Sequence, residues 1–223
     1  TLCVHICVPN VIEANQVLVM SARETETVLP PAKKRLLVND EGHHLPDVAR
    51  DALEMGSDIS PVGTGLQLDL FTKLIETLRS WFTFKSPPPL ANPQRLGEHC
   101  ATVQQLIVEL VAGISPLLPE QGQTACEYRF VMGKLPADTE QCCQRLFKLC
   151  DALRGLCEGL ITLLGEMTGK ENMVRIHRGL LQLNRFLGWF ESLSKLWWLA
   201  GMQQLSGAPV SKWLTTDWQE GKR

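Results

Sequence analysis

The amino-acid sequence predicts a mainly α fold, a four-helix-type bundle inserted in a partial α/β domain. Three observations predict it. Beyond residue 66, apolar residues recur at alternating spacings of three and four along most of the chain, the period of a helix face that turns inward. Ahead of them, a β-branched apolar run over residues 11–20 and the triplet Leu36-Leu37-Val38 have the composition and length of buried strands. Between the last two stripes, Thr168-Gly169-Lys170-Glu171-Asn172 is long enough only for a tight reversal, so the helices on either side pack antiparallel.

Taken in order, the strand over residues 11–20 leads through a polar loop ending at Pro30-Pro31 to the second strand. That strand runs into Asp40-Glu41-Gly42-His43-His44. Pro46 suits the first turn of a helix and Asp47 complements its dipole, so a helix runs to about Met55 and stops in the Gly56-Ser57-Asp58 and Gly63-Thr64-Gly65 region. The first helical stripe is Leu68, Phe71, Ile75, Leu78 and Phe82, and Ser86-Pro87-Pro88-Pro89 is a stiff linker after it. The second is Leu96, Cys100, Val103, Ile107, Leu110 and Ile114, stopped by Pro116 and Pro119. A polar loop over residues 119–137 holds one short ordered patch, Glu127-Tyr128-Arg129-Phe130. Two heptad-like stripes follow: Leu146, Leu149, Leu153, Leu156, Leu160, Leu163 and Met167, then Ile176, Leu180, Leu183, Leu187, Phe190, Ser194 and Trp197. The division expected is 1–57 for the α/β part, 58–205 for the bundle and 206–223 for a return segment.

At 223 residues the chain can bury a substantial core. A net charge of −2 and a pI near 6.2 exclude a generally basic nucleic-acid-binding domain, though a local basic stripe is compatible with them. There is no secretory signal, and no uninterrupted apolar run approaches the ~18 residues of a membrane span. The expectation is a cytoplasmic protein with no membrane partner. A start at Thr1 and an end at Gly221-Lys222-Arg223 suggest a piece of a longer protein. Of the eight cysteines, Cys143, Cys150 and Cys157 recur every seven residues, which marks them as small apolar packing groups on one helix side.

The chemistry is expected in two places. In open α/β sheets, ligands sit beyond the carboxyl ends of the strands, which puts Asp40 and Glu41 at a nucleotide and its magnesium. Asp40 suits the metal, through water, and Glu41 the proton of an attacking water. An acidic pair after a strand is most often an ordinary turn. Strand, Asp-Glu-Gly-His-His and helix start together are rarer, and His43 and His44 add donors whose charge changes near neutral pH. A zinc site on His43 and His44 does not fit, because adjacent histidines lack the one-turn spacing of a helical pair and no third ligand stands by. Gly165-Glu166-Met167-Thr168-Gly169-Lys170 fails as a phosphate loop: three residues separate its glycines, Glu171 follows the lysine, and a helix precedes it. The second place is Arg175, Arg178, Gln182 and Arg185, a row away from the fourth stripe that either tracks a DNA backbone or is a solvated face. Trp189, Trp197, Trp198, Trp213 and Trp218 suit core or interface positions better than base stacking, and His99 and His177 stand alone as structural residues.

The run Asn39-Asp40-Glu41-Gly42-His43-His44-Leu45-Pro46-Asp47, with the helix to Met55, resembles the second helicase motif of bacterial DinG helicases, relatives of the XPD helicases. Ala14-Asn15-Gln16-Val17-Leu18-Val19-Met20, Leu66-Gln67-Leu68-Asp69-Leu70-Phe71-Thr72-Lys73-Leu74 and Ser206-Gly207-Ala208-Pro209-Val210-Ser211-Lys212-Trp213 extend the resemblance to nearly the whole chain. It implies an internal segment with part of the first RecA-like motor domain and a helical Arch domain inserted in it. It also implies ATP and Mg as cofactors, single-stranded DNA as partner, and 5′-to-3′ action at single-stranded/duplex junctions. Asp40, Glu41, His43 and His44 would serve catalysis in the full protein. This chain alone, without a phosphate loop, would not turn over ATP. The family carries a 4Fe–4S cluster held by four cysteines. Cys3 and Cys7 stand too close to Ala14-Asn15 to match its last ligand, which leaves three readings: ligands outside this chain, no cluster, or a diverged opening segment. The alternative function is a stand-alone helical module that binds DNA or a protein without catalysis.

Overall fold

In the computed structural model the chain forms two compact units, Thr1–Met55 and Gly56–Arg223. The structure describes residues 5–8, 11–13, 56–57, 59–118, 126–167, 172–202 and 211–216. In the first unit these are two strands, β1 (His5–Val8) and β2 (Val11–Glu13), paired antiparallel with an irregularity between Ile6 and Val8. The strand expected over residues 11–20 is described only for Val11–Glu13; Leu36-Leu37-Val38 lies outside the described residues, as does the helix expected up to Met55.

The second unit holds four long helices: α1 (Pro61–Trp81), α2 (Pro93–Ile114), α3 (Ala137–Gly165) and α4 (Met173–Ala200). The mainly α fold read from the sequence is what this unit adopts. Each start has a local cause. Ser60 accepts from the Gly63 N–H at 3.2 Å and Pro61 occupies the first turn of α1. Gly63-Thr64-Gly65, expected as a stop, therefore lies inside the first turns of α1, because a cap and a proline ahead of it outweigh the cost of two glycines. Asn92 Oδ1 accepts from Gln94 N at 3.0 Å and Arg95 N at 3.3 Å, with Pro93 next, to open α2. α3 has no side-chain cap and carries Asp138 and Glu140 at the positive end of its dipole.

The helices close a ring in which α1 packs on α2 and α4, and α3 packs on α2 and α4, with the longest seam between α3 and α4. Every neighbouring pair is antiparallel. Gln104 Nε2 donates to Pro61 O at 2.7 Å and Arg79 Nη1 to Ala91 O at 3.2 Å, joining the start of α1 to the middle of α2 and the end of α1 to the segment just before α2. His99 Nε2 donates to Leu149 O at 2.9 Å and Cys142 Sγ to Leu106 O at 3.3 Å between α2 and α3. Gln144 Nε2 reaches Gly201 O at 3.0 Å, so the start of α3 meets the end of α4. The first two stripes are buried throughout, from Leu68 to Phe82 and from Leu96 to Ile114. α2 is long and apolar enough, by length and composition, to cross a membrane; here its apolar face is the bundle core.

The other two stripes are wider than expected. On α3 Leu146, Leu153, Leu156 and Leu160 of the expected stripe are buried, Leu149, Leu163 and Met167 are half-buried, and Cys143, Cys150, Cys157 and Leu164 are buried beside them. On α4 Ile176, Leu183, Phe190, Ser194 and Trp197 of the expected stripe are buried, Leu180 and Leu187 are half-buried, and Gly179, Phe186 and Leu193 are buried beside them. The cause is lateral. α3 and α4 share the longest seam of the ring, so residues beside the stripe also find apolar neighbours and the buried face broadens. Phe71 of α1 sets the α4 phase, with ring centroids 5.1 Å from Phe186 and 4.9 Å from Phe190. Gly179 permits the close approach, since a Cβ there would stand 2.8 Å from Leu78 Cδ2 and 3.2 Å from Leu164 Cδ1.

The expected ordered patch at Glu127 is a strand, β3 (Cys126–Arg129), paired antiparallel with β4 (Trp213–Thr216). Trp213, read as an interface residue, is thus on a strand of the helical unit, and its neighbour Lys212 reaches the end of α4. Lys212 Nζ donates to Ala200 O at 2.7 Å and Met202 O at 2.8 Å.

The cysteines are core, as their heptad spacing suggested. Burial pushes the Cys143, Cys150 and Cys157 thiols up to about 12, with the neighbouring Asp151 and Glu158 charges adding to Cys150 and Cys157. Two measurements follow. Leu153→Ala should lower the stability of this unit by about 2–5 kcal/mol and Leu149→Ala by about 1 kcal/mol or less, read from urea denaturation; equal losses would refute the observed phase of α3. At pH 8, a thiol reagent followed by peptide mapping should modify Cys143, Cys150 and Cys157 at least about a hundredfold more slowly in native than in denatured protein.

Candidate nucleic-acid interface

α4 has one inward face and so presents another to solvent. From residue 172 to residue 190 it carries no aspartate or glutamate. Arg175, Arg178 and Arg185 are all exposed. Arg178 and Arg185 are seven residues apart, two turns, and so share the outer face about 10 Å from each other. Neither forms an ion pair among the described residues, whereas Lys195 on the last turns of α4 is paired with Glu191 at 3.1 Å. Arg175 is turned to the α1 flank, its guanidinium 6.0 Å from the ring centroid of Trp81, a cation–π contact that steadies the side chain while leaving its charge in solvent. The sequence row therefore divides: two arginines stand together and the third is held beside a tryptophan.

Between them lie apolar groups that the sequence reading passed over. Met173, Val174 and Leu181 are 61%, 82% and 62% exposed, and with His177, Arg178 and Gln182 they line one shallow open surface. Val174 and Leu181 are seven apart like the arginines, so apolar and basic groups run side by side along the helix. The signal was present in the sequence as an acid-free run with leucine on two faces. Such a surface can pair phosphates with guanidinium groups and cover the faces of unstacked bases with aliphatic side chains. The tryptophans take other roles. Trp197 is buried at 4% exposure, Trp189 packs on Phe190 with centroids 4.9 Å apart, and Trp198 is half exposed. His99 is a core tie to Leu149, and His177 is exposed on the basic surface rather than structural.

Asp40, Glu41, His43 and His44 lie outside the described residues, as do Cys3 and Trp218; Cys7 falls on β1. Among the described residues no group of three or more His, Cys, Asp or Glu side chains could hold a metal ion. The described cysteines of α2 and α3 do not fit an iron–sulfur cluster, because each is a buried thiol whose pKa is raised, and a cluster needs thiolates.

No family model matches the chain. Among curated proteins, it is 53% identical over 212 residues to the ATP-dependent DNA helicase DinG of Salmonella typhimurium, a match covering 95% of this chain and 29% of that protein. The DinG helicase of Escherichia coli (strain K12) matches at the same identity and coverage. That of Photobacterium profundum is 29% identical over 229 residues, 94% of this chain and 30% of the relative. The chain spans 29% of the length of the first of these relatives, and the similarity is to that part of them.

Proposed function

We propose that this chain is the part of an ATP-dependent DNA helicase that joins one acidic motif of the nucleotide site to a helical insertion lying along the DNA. The observation that carries this is the 53% identity, over 95% of the chain, to proteins named ATP-dependent DNA helicases. The division is 1–57 for part of the first motor domain, 58–205 for the Arch and 206–223 for the return segment. A protein that works on DNA acts inside the cell, and we place this one in the cytoplasm.

Adjacent carboxylates are a donor set suited to magnesium, a hard cation that takes oxygen ligands and keeps several waters. Asp40 would hold Mg through water, and the ion supplies charge neutralisation at the phosphates when bound. Glu41, next in sequence, orients the attacking water and accepts its proton, and that base work is worth about 10²–10⁴ in rate. His43 and His44 donate toward the same site and link its occupancy to the motor. Gly165-Glu166-Met167-Thr168-Gly169-Lys170 is not counted as a phosphate-binding loop, because Gly165 is the last residue of the long helix α3.

On the DNA side, Arg178 and Arg185 pair with successive phosphates of a single strand and Arg175 joins them from the α1 flank. Single-stranded rather than duplex DNA is favoured by Val174 and Leu181, which offer apolar cover to bases that only an unpaired strand exposes. Travel in the 5′-to-3′ direction at single-stranded/duplex junctions is part of the same proposal, as family resemblance implies.

Two experiments test this. In the complete polypeptide, Glu41→Gln should reduce DNA-stimulated ATP turnover at least about a hundredfold while nucleotide binding persists; retained turnover would remove Glu41 from the reaction. The pair Arg178→Ala and Arg185→Ala should weaken single-stranded DNA binding and flatten the slope of log affinity against log salt by about 0.7 for each arginine removed. An unchanged slope would make this a plain solvated face.

A further inference from the structure

One end of the helical unit is gathered around a single ammonium group. The last four carbonyls of any α-helix lack partners within it, and at the end of α4 two backbone carbonyls accept from Lys212 Nζ, Ala200 O at 2.7 Å and Met202 O at 2.8 Å. The negative end of the α4 dipole favours a cation there. Lys212 is half-buried and, among the described residues, has no carboxylate within ion-pair distance. Its backbone carbonyl accepts from Phe130 N at 2.9 Å, next to the four-residue ladder in which Arg129 faces Trp213. Phe130 itself is buried.

The same point is braced from α3. Gln144 Nε2 donates to Gly201 O at 3.0 Å and to Glu140 Oε1 at 3.1 Å. Gly201 is packed so closely that a Cβ would stand 2.9 Å from Gln144 Cγ and 3.1 Å from the Gln144 backbone nitrogen. Four segments therefore meet at this node: the start of α3, the end of α4, and strands β3 and β4. Lys212 touches two of them directly, and it lies immediately ahead of β4. Burial pulls the lysine pKa down and the nearby Glu140 charge opposes this, as expected of a cation removed from water and held largely by neutral carbonyls.

We propose that Lys212 is a positioning latch: by clamping carbonyls at and just past the end of α4 it makes strand β4 and the α3–α4 hairpin move as one body. Charge-assisted hydrogen bonds to carbonyls are stronger than neutral ones yet still reversible, so the latch is strong enough to transmit displacement and weak enough to open. The functional arm of this proposal rests on the helicase reading above, and its structural arm does not.

The test is Lys212→Met, which keeps most of the side-chain bulk and removes the donor, with Lys212→Arg as the variant that restores a cation. In the complete polypeptide, native-state hydrogen exchange should show protection at Phe130, Gly201 and Met202 falling about tenfold or more in Lys212→Met, with the core of α2 unchanged. Lys212→Arg should recover most of the loss. Strand separation per ATP hydrolysed should fall several-fold in Lys212→Met, since loss of a mechanical link wastes turnover rather than stopping it. Unchanged protection overturns the latch. Lost protection with an unchanged ratio of separation to turnover overturns its coupling role. A wild-type polypeptide with no DNA-dependent turnover instead overturns the helicase reading, and the exchange result then decides whether the clamp exists.

Discussion

The edge contacts of Phe71 with Phe186 and Phe190 fix how α4 is rotated about its axis, and much of the character of this unit follows from that rotation. Successive residues on a helix are about 100° apart. A change of one residue in phase would carry Leu180 and Leu187 inward and turn Phe186 toward water. With the three phenylalanine rings locked together, Gly179 is brought against Leu78 and Leu164, where only hydrogen fits without displacing a buried leucine. The opposite face is thereby determined. Arg178, Leu181 and Arg185 point to solvent because Phe186, Phe190 and Leu183 cannot, and the basic apolar surface is the geometric complement of an aromatic core.

The cysteines of α3 follow the same logic. They alternate with leucines along the buried line, as small groups among larger ones. A thiol is small and weakly polar, and Cys142 still finds a carbonyl in Leu106. The burial that makes these groups good fillers makes them poor ligands. A metal site would have to recover the cost of ionising three thiols whose protonated forms the core already favours.

How much of this was legible in the sequence depended on how one-sided each helix is. α1 and α2 have their buried residues on one narrow line, and the three-four spacing placed all of Leu68–Phe82 and Leu96–Ile114 correctly. α3 and α4 carry leucines around more than half of their circumference, so several phases fit the pattern equally well, and only contacts from other helices choose among them. The same breadth hid the site. Leu181 reads as core by composition and is 62% exposed, while the arginines beside it were visible as a row because charge admits fewer positions. The pairing of β3 with β4 joins segments more than eighty residues apart, and no local signal carries that information. The Asp40-to-His44 motif was the most legible chemistry in the chain, and its geometry lies outside the described residues.

The two features proposed for the helical unit sit at opposite ends of α4. The arginine surface occupies its first half, next to the loop joining α1 to α2, where Trp81 receives Arg175. The Lys212 node occupies its last turn. From Arg185 to Ala200 α4 rises about 22 Å, packed on α3 and pinned to α1 by the phenylalanines. A helix alone can still curve gently. A helix seamed to an antiparallel partner, with no void at Gly179 and an aromatic wedge near its middle, resists bending because any curvature must break close contacts on one side. If the basic surface holds a strand as proposed, its displacement would be carried to the other end of α4, where the last turn is fastened to the segment ahead of β4 by Lys212. That is how the proposed latch would let a single lysine matter to a surface it never touches.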